Sequence, residues 1–171
     1  MKKNIITIIL LVCIMPLFAQ RVEIYYDDPV LRVTDVPIYL FQRYCPPNNL
    51  IIIEDTSFID YLHSEILSFK DTDDYPWYKK MPFAMIQIVY IESEYRYHVI
   101  NMSHSPTSKT IDEKSGCLIL DGKNMKFNKS FQSVIDQVVN YHIDKPKDSI
   151  DFKFILNGGR YLIDPYLPKF P

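Results

Sequence analysis

The stretch FAMIQIVYIESEYRYHVINM, residues 83–102, decides the fold. It predicts two long strands, Phe83 to Glu92 and Tyr95 to Met102, joined by a tight turn near Ser93-Glu94. The first strand is apolar on both faces: one carries Ile86, Ile88 and Tyr90, the other Met85, Val89 and Ile91. Such a strand is normally covered on both sides. We therefore expect this hairpin at the centre of a sheet.

Shorter predicted strands flank the hairpin on both sides of the sequence. Those before it are Val22–Tyr26, Val36–Phe41 and Leu50–Ile53. Those after it are Cys117–Leu120 and Lys123–Phe127, around the hairpin signal Asp121-Gly122. Ile150–Leu156 and Arg160–Ile163 are predicted as a last pair, around a turn at Asn157-Gly158-Gly159.

Two segments show the spacing of amphipathic helices. The first follows Asp55, Thr56 or Ser57 as cap, with the apolar stripe Phe58, Ile59, Leu62, Ile66 and Phe69. The second follows Asn128 or Ser130, with Phe131, Val134, Ile135, Val138 and Val139. The predicted class is α+β, a mostly antiparallel sheet with two amphipathic helices packed on it.

Residues 1–19 have the layout of a secretory signal peptide. Lys2-Lys3 is followed by an apolar run from Ile5 to Phe18, and Ala19 is the small residue expected at the cut. A transmembrane anchor is the alternative, but these 14 residues are broken by Pro16 and fall short of the roughly 20 needed to span. A lipoprotein signal at Cys13 is disfavoured because the apolar run continues past it. We expect an extracytoplasmic protein, periplasmic or secreted, with residues 20–171 as a single globular domain and no membrane span after processing.

The composition of residues 20–171 narrows the possible partners. Loss of two lysines leaves 17 basic against 21 acidic residues, a net charge of −4. With no basic run, a nucleic-acid partner is not expected. Cys45 and Cys117 remain after processing. They either form a disulfide in an oxidising compartment or stay as two separate thiols, and the sequence leaves both open.

No recognised set of catalytic or metal-ligating residues occurs in the sequence. His98 and His104 form the closest histidine pair, and no third ligand stands near them. The acids Asp71, Asp73 and Asp74 resemble the start of a calcium loop, but Pro76 replaces the required glycine. We therefore predict no metal, no cofactor and no catalytic residue. Two glycosylation sequons, at Asn101 and Asn128, matter only in a eukaryotic host, which the short Lys2-Lys3 start does not favour.

The best candidates for ligand contact lie in a segment without regular structure. Trp77, the only tryptophan, stands there between Tyr75 and Tyr78. Exposed aromatic clusters serve recognition of sugars or proteins, whereas a buried tryptophan would close the core beneath the loop. Both interpretations remain open from the sequence.

No family is close enough to be named from these residues. The order hairpin, helix (Phe131–Val139) and closing strand, from Phe83 to Leu156, resembles the periplasmic carboxy-terminal domain of TonB-type energy transducers. The resemblance lies in element order alone. The Cys117–Phe127 hairpin is an insertion, and neither a Pro-rich spacer nor a retained anchor is present.

Two functional hypotheses follow. The first is a non-enzymatic binding or interaction module whose partner is an unidentified protein or glycan of the envelope. The second is an extracytoplasmic hydrolase with a site assembled from distant residues, for which His98, His104, His142 and Asp73 are the candidates.

Overall fold

The structure of the protein is a computed structural model. It describes residues 20–26, 41–72, 86–93, 95–102, 118–145 and 148–159. The predicted leader, most of the Val36–Phe41 strand and the Arg160–Ile163 strand lie outside the described residues. Within these ranges the chain forms one six-stranded antiparallel sheet and four α-helices. The α+β prediction is therefore confirmed.

The sheet has the strand order β2-β1-β3-β4-β5-β6. Its strands are β1 (Arg21–Tyr26), β2 (Leu50–Ile53), β3 (Ile86–Ser93), β4 (Arg96–Met102), β5 (Leu118–Leu120) and β6 (Lys123–Met125). The long hairpin of β3 and β4 occupies the middle, as predicted. Both faces of β3 are buried from Ile86 to Tyr90, which explains why its sequence does not alternate.

The strand register determines which side chains share each face of the sheet. The inner face carries Val22, Ile24 and Tyr26 beside Tyr90, Ile88 and Ile86, and all six side chains are buried. Met102 and Leu118 extend the same face through β4 and β5. The helices pack on this inner face, and burial of these apolar side chains is the main favourable contribution to folding.

Helix α1 covers Phe41–Tyr44, and a 3₁₀ turn at Pro47–Asn49 leads into β2. Helix α2 spans Thr56–Ser68, and the Asp55 carboxylate caps it by accepting a 3.0 Å bond from the Phe58 amide. Helix α3 spans Lys129–Asp144, and Asn128 caps it in the same way through the Phe131 amide. Both predicted amphipathic helices are confirmed, as is one predicted cap for each. None of the helices within the described ranges is both long and apolar enough to cross a bilayer.

The predicted strand at Ile150–Leu156 is wrong, because the structure places helix α4 at Phe152–Leu156. The Asp151 side chain caps it by accepting from the Phe154 amide at 3.0 Å. One face of this short helix carries Phe152 and Ile155, which pack against the core. The Asn157-Gly158-Gly159 turn then ends it, with Gly158 at φ +83°. The resemblance to the TonB carboxy-terminal domain therefore does not extend to a closing strand.

Helix α3 is buried along two stripes, only one of which is apolar. Phe131, Ile135, Val138 and Val139 are fully buried on the predicted stripe. Beside it, Gln132 and Asp136 are 2% and 7% exposed, and Asn140 continues this row one turn later. Burial raises the pKa of the Asp136 carboxyl to about 8. Burying polar side chains costs free energy unless they are hydrogen-bonded, so the packing around α3 must provide for them. The apolar spacing of the helix does not predict this requirement.

Candidate functional site

A group of titratable side chains lies where the β3–β4 hairpin tip meets helix α2. Glu92 of β3 is its centre, and only 11% of its side chain is exposed. One of its oxygens lies 3.3 Å from His63 Nδ1 of α2, and the other lies 2.9 Å from Arg96 Nε of β4. The carboxylate thus connects the helix to both strands of the hairpin.

A second histidine–carboxylate pair lies on the neighbouring strands. The Asp121 carboxylate accepts from His98 Nδ1 at 2.7 Å through Oδ2 and from the Val99 amide at 2.8 Å through Oδ1. Asp121 also donates its own amide to the Val99 carbonyl at 2.9 Å. These bonds are possible because Asp121 and Gly122 take φ values of +49° and +80°, the left-handed backbone of a tight hairpin turn. The turn therefore fixes the orientation of the His98 ring.

Tyr90 separates the two histidines on the inner face. Its ring is stacked on His98 at 6.3 Å between centroids and makes an edge contact with His63 at 6.1 Å. Burial, followed by the charges of Glu92 and Asp60, raises the pKa of the Tyr90 hydroxyl. Each imidazole faces a carboxylate through Nδ1, by a 2.7 Å hydrogen bond at His98 and by a 3.3 Å contact at His63, and within the described residues no group bonds to either Nε2. An imidazole held in this way can act as a proton acceptor or donor through Nε2.

The structure does not bring His98 and His142 together. His142 Nδ1 lies 3.0 Å from the hydroxyl of Tyr26, and Tyr26 is the strand partner of Ile86. His98, in contrast, is the strand partner of Tyr90. Four residues along a strand correspond to about 13 Å. Burial lowers the pKa of His142. The other two residues of the predicted hydrolase site, His104 and Asp73, lie outside the described residues.

The outer face of the sheet is covered at one end and open at the hairpin tip. At the covered end, Gln87 and Asn101 are 4% and 5% exposed, and their amides bond to each other at 2.7 Å. At the tip, Tyr97 is 63% exposed, and Tyr95 in the adjoining turn is 88% exposed. The exposed aromatic surface of the described chain is therefore concentrated at this tip.

Of the predicted contact residues, Tyr75, Trp77 and Tyr78 lie outside the described residues, and they stay predictions. Cys117 also lies outside, so the disulfide stays untested. The Cys45 thiol lies 3.4 Å from the Tyr26 carbonyl and 3.5 Å from the Asn49 carbonyl, at the β1–β2 side of the sheet.

The asparagines of both glycosylation sequons have structural roles. Asn101 is buried at 5% exposure, and Asn128 caps α3 while donating to a Glu65 carboxylate oxygen at 2.9 Å. Within the described ranges, no three His, Cys, Asp or Glu side chains are arranged to hold a metal ion.

Comparison with known proteins returns no match to this chain among family models, curated proteins or solved structures.

Proposed function

We propose that the protein is an exported interaction module that binds a protein or glycan of the envelope through the tip of its β3–β4 hairpin. The observation that carries this proposal is the exposure of Tyr97 on β4 and of Tyr95 in the turn before it. Tyrosine supplies a large amphipathic contact area with little conformational entropy to lose, which is why it is enriched in interfaces.

The surroundings of the two tyrosines support a contact role. Arg96 lies between them in sequence with 70% of its side chain exposed, and its guanidinium is held by Glu92. Tyrosine and arginine are the residue types that most often dominate binding energy. Because β4 pairs with β3 from Arg96 to Met102, the tip presents these groups on a regular two-stranded hairpin.

The double change Tyr95→Ser with Tyr97→Ser is expected to weaken partner binding sharply. Loss of two central aromatic contacts corresponds to about 2 kcal/mol or more, roughly a 30-fold weaker complex. The measurement is retention of partners from envelope extract, protein and glycan fractions separately, on the immobilised protein purified after export. Leu67→Ser is the matched control, since Leu67 is 74% exposed on α2. Equal retention by all three proteins would refute the proposed surface.

A second candidate function, an extracytoplasmic hydrolase, is favoured by the His98–Asp121 pair alone. A carboxylate on Nδ1 holds the imidazole in the tautomer that accepts a proton at Nε2, which is the arrangement of a general base. His63 faces the Glu92 carboxylate at 3.3 Å on the other side of Tyr90. The proposed machinery would thus be His98, Asp121 and His63.

This second function predicts that His98→Gln abolishes any hydrolytic activity, while His142→Gln leaves the rate per folded molecule unchanged. General acid–base groups contribute about 10²–10⁴-fold to rate. Chromogenic esters, phosphoesters and glycosides, assayed on the exported protein, provide the readout. Absence of turnover on all three substrate classes, or activity retained in His98→Gln, would count against the hydrolase.

A further inference from the structure

We infer that protonation of His63 and His98 fastens the tip of the β3–β4 hairpin to α2 and to the β5–β6 turn, so that the tip is held more firmly in acid than at alkaline pH. This inference goes beyond the proposed function and does not rest on it. His63 belongs to α2 and His98 to β4, and each faces a carboxylate from a different element of the fold. Both contacts therefore connect the tip to the structure around it.

A β-bulge places the Glu92 carboxylate between the hairpin and the helix. The pairing of β3 with β4 shifts register between Ile91 and Ser93, so Glu92 is the extra residue of the bulge. One of its oxygens lies 2.9 Å from Arg96 Nε within the hairpin, and the other lies 3.3 Å from His63 Nδ1 on α2. Arginine keeps its charge throughout the range in which histidine titrates, so only the contact to α2 changes with the protonation of an imidazole.

The second contact joins β4 to the turn between β5 and β6. His98 Nδ1 lies 2.7 Å from Asp121 Oδ2, and Asp121 Oδ1 accepts from the Val99 amide at 2.8 Å. Strand β5 pairs with β4 only from Ile100 to Met102. The bonds of Asp121 therefore extend the connection between these strands toward the tip.

The fixed charges around the two imidazoles are mainly acidic. The acids are Asp60 of α2, Glu92 of β3 and Asp121 of the turn, and the base beside them is Arg96 of β4. Lys123 follows the turn at an exposed position of β6, and no contact within the described residues joins it to either ring. Histidine gains its charge between about pH 8 and pH 5, so protonation offsets the excess of carboxylates and strengthens both contacts.

The direction and size of the effect follow from this arrangement. The fastening is complete in acid, where both imidazoles are protonated, and it is lost as the pH rises through their titration. Ion pairs at partly exposed positions contribute modestly, so two of them correspond to roughly a three- to tenfold change in local opening. Because the tip carries the exposed rings of Tyr95 and Tyr97, the pH sets how firmly these rings are held.

The test is hydrogen exchange of the ¹⁵N-labelled exported protein, measured by NMR from pH 5 to pH 8 together with the imidazole signals. The Val99 amide, bonded to Asp121, reports on one contact, and the Nε–H of Arg96, bonded to Glu92, reports on the other. After correction for intrinsic exchange, protection of both groups should fall about three- to tenfold as the imidazoles lose their protons. The amide of Val138, buried in α3, is the internal reference for global stability.

Histidine variants separate the two contacts. His63→Gln should remove the pH dependence at Arg96, and His98→Gln should remove it at Val99. His142→Gln changes a histidine bound to Tyr26 of β1 and should leave both dependences in place.

Three outcomes would overturn the inference. The first needs no variant: protection at the tip of the wild type that stays constant while His63 and His98 titrate. The second is a pH dependence that persists in the double variant His63→Gln with His98→Gln. The third is a change at the tip that only parallels the α3 reference, since this would assign the effect to global stability.

Discussion

Asp136→Asn is expected to raise the free energy of unfolding at pH 8 by several kcal/mol and to flatten its dependence on pH. Asp136 is 7% exposed on α3, beside the equally buried Gln132. Burial raises the pKa of its carboxyl from 3.8 to about 8. Asparagine has nearly the shape of the protonated acid and does not ionise, so it removes the titration with little change in packing.

The direction follows from proton uptake. Between about pH 4 and pH 8 the Asp136 carboxyl is protonated in the folded chain and ionised in the unfolded chain, so folding takes up a proton. Stability contributed by this group is full below pH 4, falls as the pH rises, and is lost above about 8. The slope is roughly 1.4 kcal/mol for each pH unit, on the order of 5 kcal/mol over the whole window. Natural domains are stable by only about 5–15 kcal/mol, so the effect is large.

Urea unfolding of the wild type and Asp136→Asn from pH 4.5 to 8.5 provides the measurement. The comparison of the two proteins is needed because His142 adds a pH dependence of the opposite sign: burial lowers its pKa, which disfavours folding at acid pH. This contribution is common to both proteins, so the difference between their profiles reports on Asp136. Asp148→Asn, which makes the same substitution at an exposed position, is the matched control. Parallel pH profiles for wild type and Asp136→Asn would show that another group takes up the proton.

The sequence predicted the centre of the fold because its signals there were local. The run at Ile86–Tyr90 is apolar on both faces, which indicated a covered central strand. The capping residues Asp55 and Asn128, each followed by apolar residues at helical spacing, located α2 and α3. The buried polar stripe of α3 was not predicted. Gln132 and Asp136 look like ordinary solvent-facing residues until the tertiary packing around them is known.

Helix α4 shows why a short apolar run is ambiguous. Phe152, Phe154 and Leu156 alternate with other residues as in a strand, yet five residues carry too few repeats to distinguish period 2 from period 3.6. The useful signal was Asp151, which accepts from the amide three residues later in the manner of a helix cap. Weighing that cap would have favoured the helix.

The candidate site could be predicted only in part for a different reason. Asp121 was identified as a turn residue, but its bonds to His98 and Val99 depend on how β5 pairs with β4. The His63–Glu92 contact joins residues 29 positions apart, on a helix and a strand. Neither spacing carries a motif, so these contacts became visible only with the fold.

Phe131→Ala is expected to lower the free energy of unfolding by about 3–5 kcal/mol, the usual cost of deleting a fully buried phenylalanine. Phe131 is 0% exposed and lies between two rings of the α2 region. Its ring is nearly parallel to that of Tyr61 at 6.4 Å and makes an edge contact with Phe69 at 5.2 Å. Removing it leaves a cavity between α2 and α3 and takes away both aromatic contacts. Chemical denaturation at pH 6 measures the loss, and a change below 1 kcal/mol would contradict this account.

Tyr61→Phe, in the same aromatic cluster, is expected to have the opposite sign. The Tyr61 hydroxyl is buried without a hydrogen-bond partner in the described part of the chain, and burial raises its pKa. Deleting a buried hydroxyl that lacks a partner removes a desolvation cost, so stability should rise by about 1 kcal/mol while the ring contacts persist. A loss exceeding 1 kcal/mol would instead reveal a partner for that hydroxyl. Opposite signs at Phe131 and Tyr61 would show that ring packing stabilises this contact between α2 and α3, whereas the Tyr61 hydroxyl does not.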